Sequence, residues 1–143
     1  MKINSAAVIG TGFIGTVHVE SIRRTGVHVK GVLAGNPEST KIGAKKLSVD
    51  QPYESLDQIC EDKAVTVVHV TSPNALHYVQ VKQLLNAGKH VVCEKPLALS
   101  AQEGKELVEL AKKTKLIHAT CFNTRFYPMV HEAKHLISQK QMI

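Results

Sequence analysis

Two kinds of segment alternate along the chain. Five runs are apolar and rich in β-branched residues: SAAVI (5–9), VHVKGVL (27–33), VTVVHV (65–70), HVVC (90–93) and LIHATC (116–121). Several are apolar nearly throughout, as strands are when a parallel sheet is covered on both faces. Between them, apolar positions recur at helical spacing. Ile14, Val17, His18, Ser21 and Ile22 share one face of a first helix. Tyr78, Val81, Leu84 and Leu85 mark another over residues 74–87, closed by Gly88 at the C′ position. Asn36-Pro37-Glu38 supplies an N-cap, a proline suited to the first helical position and an acid for the first turn. Ser100 and Glu103 form a capping box ahead of a Leu107, Val108 and Ala111 stripe. Met129, Ala133, Leu136 and Ile137 predict the buried face of a last helix. Strand followed by helix, repeated, predicts right-handed crossovers and an α/β fold with a doubly wound parallel sheet. No repeat, low-complexity tract or linker interrupts it, so one domain is expected.

Composition narrows the function classes. A chain of 143 residues supports one hydrophobic core, and 43% hydrophobic with 21% charged residues is ordinary for a soluble globular protein. An aromatic content of 4% with no Trp argues against a stacking platform for single-stranded nucleic acid. The net charge is +6, yet the longest basic run, KKTK at 112–115, is shorter than a nucleic-acid patch and reads as a solvated helix end. The surplus suits an anionic ligand. Cys60, Cys93 and Cys121 lack metal-ligand spacing and read as small buried hydrophobes in a reducing compartment. The N-terminal MKINSAAVIGTGFIG breaks at glycines, as a first strand does and a signal peptide does not. No stretch reaches membrane-spanning length, so a cytoplasmic chain without membrane or nucleic-acid partners is expected.

The glycines carry the first chemistry. VIGTGFIG places Gly10, Gly12 and Gly15 as G-x-G-x-x-G between the first strand and first helix. The first glycine permits the tight turn, the second lets backbone approach a pyrophosphate, and the third lets helix pack on sheet. The candidate cradle is therefore Gly10, Thr11, Gly12, Phe13, Ile14 and Gly15, with free helix N–H groups facing the anion. A flavin or S-adenosylmethionine site is the chemical alternative. In an NAD site an acid about 20 residues on binds the ribose 2′-hydroxyl. Here the stretch reads VLAGNPES, with Ala34 and Gly35 where the carboxylate would fall. That points toward NADP, with Asn36, Ser39 or Lys41 to meet a 2′-phosphate, and leaves NAD open.

Four motifs in order, GTGFIG (10–15), TSPNALH (71–77), AGKHVVCEKPLALS (87–100) and FNTRFYP (122–128), carry a resemblance over essentially the whole chain. It resembles the Gfo/Idh/MocA oxidoreductases, which include glucose–fructose oxidoreductase and inositol dehydrogenase. The resemblance implies a Rossmann domain for NAD or NADP over residues 1–124. Residues 125–143 would begin the connection to a second domain, built on an open antiparallel sheet and absent from this sequence. It implies hydride transfer between the nicotinamide and a secondary hydroxyl or carbonyl of a sugar, polyol or derivative. By the same resemblance Thr71, Ser72, Asn74 and His77 lie along the cofactor, Glu94 and Lys95 border the nicotinamide and its ribose, and Asn123 and Arg125 sit at the cleft rim. Lys95 is the catalytic residue it implies. The isolated chain should bind cofactor weakly and turn over little, and the whole protein should form a homo-oligomer through the second domain. The alternative is a non-catalytic dinucleotide sensor or regulatory module on the same scaffold.

Plainer roles stand beside these. Asn74 suits a helix N-cap, His77 the edge of an apolar face, and Arg125 a surface ion pair. Glu94 and Lys95 could be a solvated pair at a loop start. At the carboxyl end of a strand, however, a lysine stands where doubly wound sheets bind ligands, and can hydrogen-bond an oxygen whose charge changes during reaction. Pro96 makes the bond after Lys95 a candidate for the cis form. HEAKH (131–135) matches H-E-x-x-H, but the eight residues after it supply no third ligand. Its histidines are expected to point away from the buried face, so it reads as a helix surface and no metal is expected.

Overall fold

The computed structural model describes residues 5–140. Residues 1–4 and 141–143, the outer ends of the N-terminal apolar stretch and of the 125–143 segment, lie outside the described residues. SAAVI forms β1 (Ser5–Ile9), and every residue of it is buried. There follow α1 (Phe13–Arg24), β2 (His28–Leu33), α2 (Pro37–Lys46), β3 (Gln51–Pro52), α3 (Leu56–Glu61) and β4 (Val65–Val70). A 3-10 turn at Asn74–Leu76 leads into α4 (His77–Asn86), then β5 (His90–Glu94), α5 (Ala101–Thr114) and β6 (His118–Cys121). A second 3-10 turn, Asn123–Phe126, precedes α6 (Pro128–Ser138).

The strands form one sheet in the order β3-β2-β1-β4-β5-β6, with all pairings parallel. This is the expected doubly wound sheet. Two apolar layers flank it. One joins Ile59 of α3, Leu84 and Leu85 of α4 and Leu107 of α5 to Ala7, Val68 and Val91. The other joins Val19 and Ile22 of α1 and Ala44 of α2 to Ala6, Val8 and Val32. Successive strand residues alternate between these layers, so strands sealed on both faces must be apolar throughout. The chain leaves β1 for the β2 side and returns to β4 on the other, which opens a crevice at the carboxyl ends of these strands.

The caps behave as their sequences require. Asn36 accepts from the Ser39 N–H at 2.8 Å, and Ser100 from that of Glu103 at 3.2 Å. The Glu103 carboxylate reaches back to the Leu99 N–H. Gly88 has a φ of +77°, the left-handed geometry a helix stop needs. The polarity pattern misses β3 and α3. A two-residue strand has no readable period, and a six-residue helix is too short for a stripe. The available signal was Ser55-x-x-Gln58: Ser55 accepts from the Gln58 N–H, and the Gln58 side chain accepts from that of Glu54. At the sheet's amino edge Tyr53 and Lys30 both donate to Asp62. Burial alone would raise the Asp62 pKa, but these bonds and one from the Ala64 N–H overcome it and lower it to about 2.

Four packing expectations are corrected. The buried side of α1 is Gly15, His18, Val19 and Ile22, whereas Ile14, Val17 and Ser21 are exposed. Val108 lies outside the stripe that buries Leu107 and Ala111. No residue of α6 is buried: Met129 and Ile137 are exposed, as are His131 and His135, and the helix packs chiefly on the turn before it. Its apolar stripe meets no partner surface among the described residues, and so stays open. Of the cysteines only Cys93 is buried; Cys60 and Cys121 are half-buried, and all three are free. Burial pushes the Cys93 thiol up to about 12, which keeps it protonated.

Candidate functional site

The turn from β1 into α1 is built by close backbone approach. Gly10 has a φ of +98°, and a Cβ there would stand 2.5 Å from the Thr71 carbonyl oxygen. A Cβ on Gly15 would stand 2.0 Å from the Gly10 carbonyl oxygen. Thr71, just past β4, donates its N–H to Ile9 O at 2.7 Å and its hydroxyl to Ile9 O and Gly10 O. These bonds fasten the ends of β1 and β4 to the glycine turn. Gly12 differs: a Cβ there would meet nothing within 4 Å. The protein's own packing does not demand this glycine. Gly12 is also the N-cap of α1, with no side-chain cap bond and no acid in the first turn. The first N–H groups of α1, without a side-chain cap among the described residues, and the positive end of the helix dipole therefore face open space.

That space is a groove of about 550 Å³ lined by Gly10, Thr11, Gly12, Phe13, Ile14, Ala34, Gly35, Thr71 and Ser72, joined by Ser39 and Pro73. A slot of about 230 Å³ extends it between Leu33, Leu76 and Gln80. Beyond Ile14, a further cavity of about 310 Å³ is walled by Val17, His18, Glu94, Cys121, Phe122, Asn123 and Phe126. The apolar Ile14 and Val17 thus face a cavity rather than core. The groove shares walls with each of the other two, and together they trace one path from the end of β2 to the ends of β5 and β6.

The remaining expected residues divide. Glu94 ends β5 and Asn123 opens the second 3-10 turn, both on that last cavity. Lys95 is exposed, and its ammonium has no ion-pair partner among the described residues. Glu94 pairs instead with His18, Nε2 to Oε1 at 3.0 Å, which replaces the solvated Glu94–Lys95 pair. The Lys95–Pro96 bond is cis. Asn74 is exposed and caps nothing: α4 has no side-chain cap, and Asn74 is instead the first residue of the 3-10 turn, which also lacks one. Arg125 is exposed and forms no ion pair among the described residues. His77 does not open on the crevice. Fully buried, its ring bridges the carbonyl oxygens of Ser72 (2.9 Å) and Pro96 (2.6 Å), which ties the loop after β4 to the loop after β5.

The polarity pattern overlooks a cluster beneath Glu94. His69 interrupts apolar β4 and places Nδ1 2.8 Å from Nδ1 of His18. Burial, and then the neighbouring His18, lower its pKa from 6.5 to about 4, so it is neutral at pH 7. The signal was a lone imidazole in an otherwise β-branched run. His18, Glu94 and Cys121 also bring N, O and S donors within 4.8 Å of one another. His18 and Glu94 already satisfy each other, and burial and then Glu94 raise the Cys121 pKa, which keeps the thiol protonated. His18 and Glu94 are hydrogen-bonded to each other, with the Cys121 thiol beside them.

The family profile described as "Oxidoreductase family, NAD-binding Rossmann fold" (Gfo/Idh/MocA) matches residues 5–122. The chain belongs to the Gfo/Idh/MocA oxidoreductase family. It is 30% identical to levoglucosan dehydrogenase of Pseudarthrobacter phenanthrenivorans over 97% of this chain and 38% of that protein. An NAD-binding oxidoreductase from Klebsiella pneumoniae superposes with a TM-score of 0.87 at 30% identity, over 96% of this chain and 39% of that one. Scyllo-inositol dehydrogenase from Lactobacillus casei, solved with NAD(H) and scyllo-inositol, gives 0.85 at 25% identity, over 99% and 42%. The chain spans about two-fifths of the length of these relatives. Among the described residues, no helix is long and apolar enough to cross a membrane.

Two measurements check this geometry. In urea unfolding, Gly15→Ala should lose about 3 kcal/mol or more because the methyl meets backbone, while Gly12→Ala stays within about 1 kcal/mol. The second concerns pH. The unfolded chain protonates His69 near pH 6.5 and the folded chain only near 4. Stability should therefore be flat above pH 6.5 and fall by on the order of 3 kcal/mol toward pH 4. Asp62 adds its own loss only below about pH 4. His69→Phe should flatten the curve between pH 6.5 and 4; an unchanged slope would show that His69 is not its source.

Proposed function

We propose that this chain is the dinucleotide-binding part of an NAD(P)-dependent dehydrogenase, which moves hydride between the nicotinamide and a CH–OH carbon of a sugar- or polyol-type substrate. The observation that carries the reading is Gly12. The fold has no use for a glycine there, yet the missing side chain clears the approach to an uncapped, acid-free helix N-terminus. The relatives support the same reading, since one was solved with NAD(H) and a polyol. On this reading the groove takes the pyrophosphate, the slot beside Leu33 and Leu76 takes the adenine, and the nicotinamide lies toward Glu94 and Asn123. Lys95, exposed and without an ion-pair partner among the described residues, is the residue to hydrogen-bond the substrate oxygen whose charge changes during transfer.

The end of β2 favours NADP. Ala34 donates its N–H to the Thr40 hydroxyl oxygen, Gly35 opens on free space, and the Asn36 side-chain oxygen is occupied by the Ser39 N–H. No carboxylate stands at Ala34 or Gly35 to hold a 2′-hydroxyl, and Ser39 lines the groove. The one nearby acid in sequence is Glu38, in the first turn of α2.

The chain has no Trp, so nicotinamide fluorescence reports binding against a quiet background. NADPH should bind about tenfold more tightly than NADH, and Gly12→Val should weaken both by about tenfold or more without loss of fold. Saturable binding of neither reduced cofactor would sink the dinucleotide reading. Tighter binding of NADH, reversed by Glu38→Gln, would overturn the NADP preference alone.

A further inference from the structure

His69 occupies a central position in the sheet, paired with Val8 on one side and Val92 on the other. A neutral imidazole there must find a partner or lose a hydrogen bond. It meets His18 edge-on, with ring centroids 5.1 Å apart and planes at 82°. The rings touch Nδ1 to Nδ1 at 2.8 Å, so one nitrogen donates and the other accepts. The direction follows from the far end of the chain of bonds. His18 Nε2 faces Glu94 Oε1 at 3.0 Å, and a carboxylate only accepts, so Nε2 of His18 carries hydrogen. A neutral His18 then has a bare Nδ1, and His69 must hold its hydrogen on Nδ1. The other carboxylate oxygen, Oε2, accepts the backbone N–H of Lys95 at 3.2 Å.

We propose that His69 is a positioning residue for the crevice: by donating Nδ1–H to His18 it locks His18 in the tautomer that grips Glu94. The carboxylate is then held at both oxygens, from α1 through His18 and from the loop through Lys95. Each oxygen keeps a further lone pair for a ligand hydroxyl, and Glu94 walls the cavity shared with Asn123. The half-buried place of His69 suits this task, because the desolvation there lowers its pKa and keeps the ring neutral and a donor at physiological pH. The step from an oriented Glu94 to ligand binding rests on the dinucleotide reading above; the locking of tautomers does not.

The test therefore has two arms. Long-range proton–nitrogen spectra of the histidine-labelled chain at pH 7, without ligand, should show His69 as Nδ1–H and His18 as Nε2–H. In His69→Leu the His18 ring should lose that single tautomer. In His69→Asn, whose amide nitrogen can stand where Nδ1 stood, it should recover it. In the second arm, NADPH affinity should fall about five- to tenfold in His69→Leu and return to within about twofold in His69→Asn. A His69 found as Nε2–H, a doubly protonated His18, or a His18 tautomer indifferent to His69→Leu would overturn the proposal. Should His69→Leu not fold, the wild-type spectrum still decides. A wild-type chain that binds neither NADPH nor NADH defeats the dinucleotide reading and leaves the spectral arm to stand alone.

Discussion

The contact on which the crevice depends is the meeting of backbone with backbone at Gly10, Gly15 and Thr71. The start of α1 lies so close to the ends of β1 and β4 that a single methyl at Gly15 would fall within 2.0 Å of a carbonyl oxygen. This approach brings the helix N-terminus to the place where the strand order reverses and the sheet opens. Thr71 fastens the junction, and His77 ties the loop after β4 to the loop after β5 from below. The glycine turn and the loops after β4 and β5 are thus held together at the mouth of the sheet.

The same few residues separate what the fold needs from what it leaves open. Gly10 and Gly15 are required by packing, whereas Gly12 is not. The exposure of Ile14 and Val17 divides from the burial of Val19 and Ile22 in the same way: one pair walls a cavity and the other fills the core. Glu94 belongs to both worlds, since it ends a core strand, accepts from His18 beneath it and forms part of the cavity wall.

Much of this was legible in the residues. β1 and β4 match their apolar runs to the residue, because strands sealed on both faces are apolar nearly throughout. Asn36, Gly88 and Ser100 marked helix ends because capping is a local chemistry. Most of the groove followed from motif spacing and family resemblance. Periodicity failed where an apolar residue serves a cavity, as at Ile14, or meets no partner among the described residues, as along α6. It also failed where elements are too short to show a period, as at β3 and α3. The contact between His18 and His69 spans 51 residues of sequence, and only the fold brings those rings together.

The central claim is that the uncapped start of α1 and the end of β2 form one dinucleotide site. Backbone amide spectra recorded during titration with NADPH test it most directly. Saturable shifts concentrated at Thr11, Gly12, Phe13, Ile14, Ala34 and Gly35 are the expected result. Shifts scattered over the surface, or centred away from the glycine turn, would contradict it.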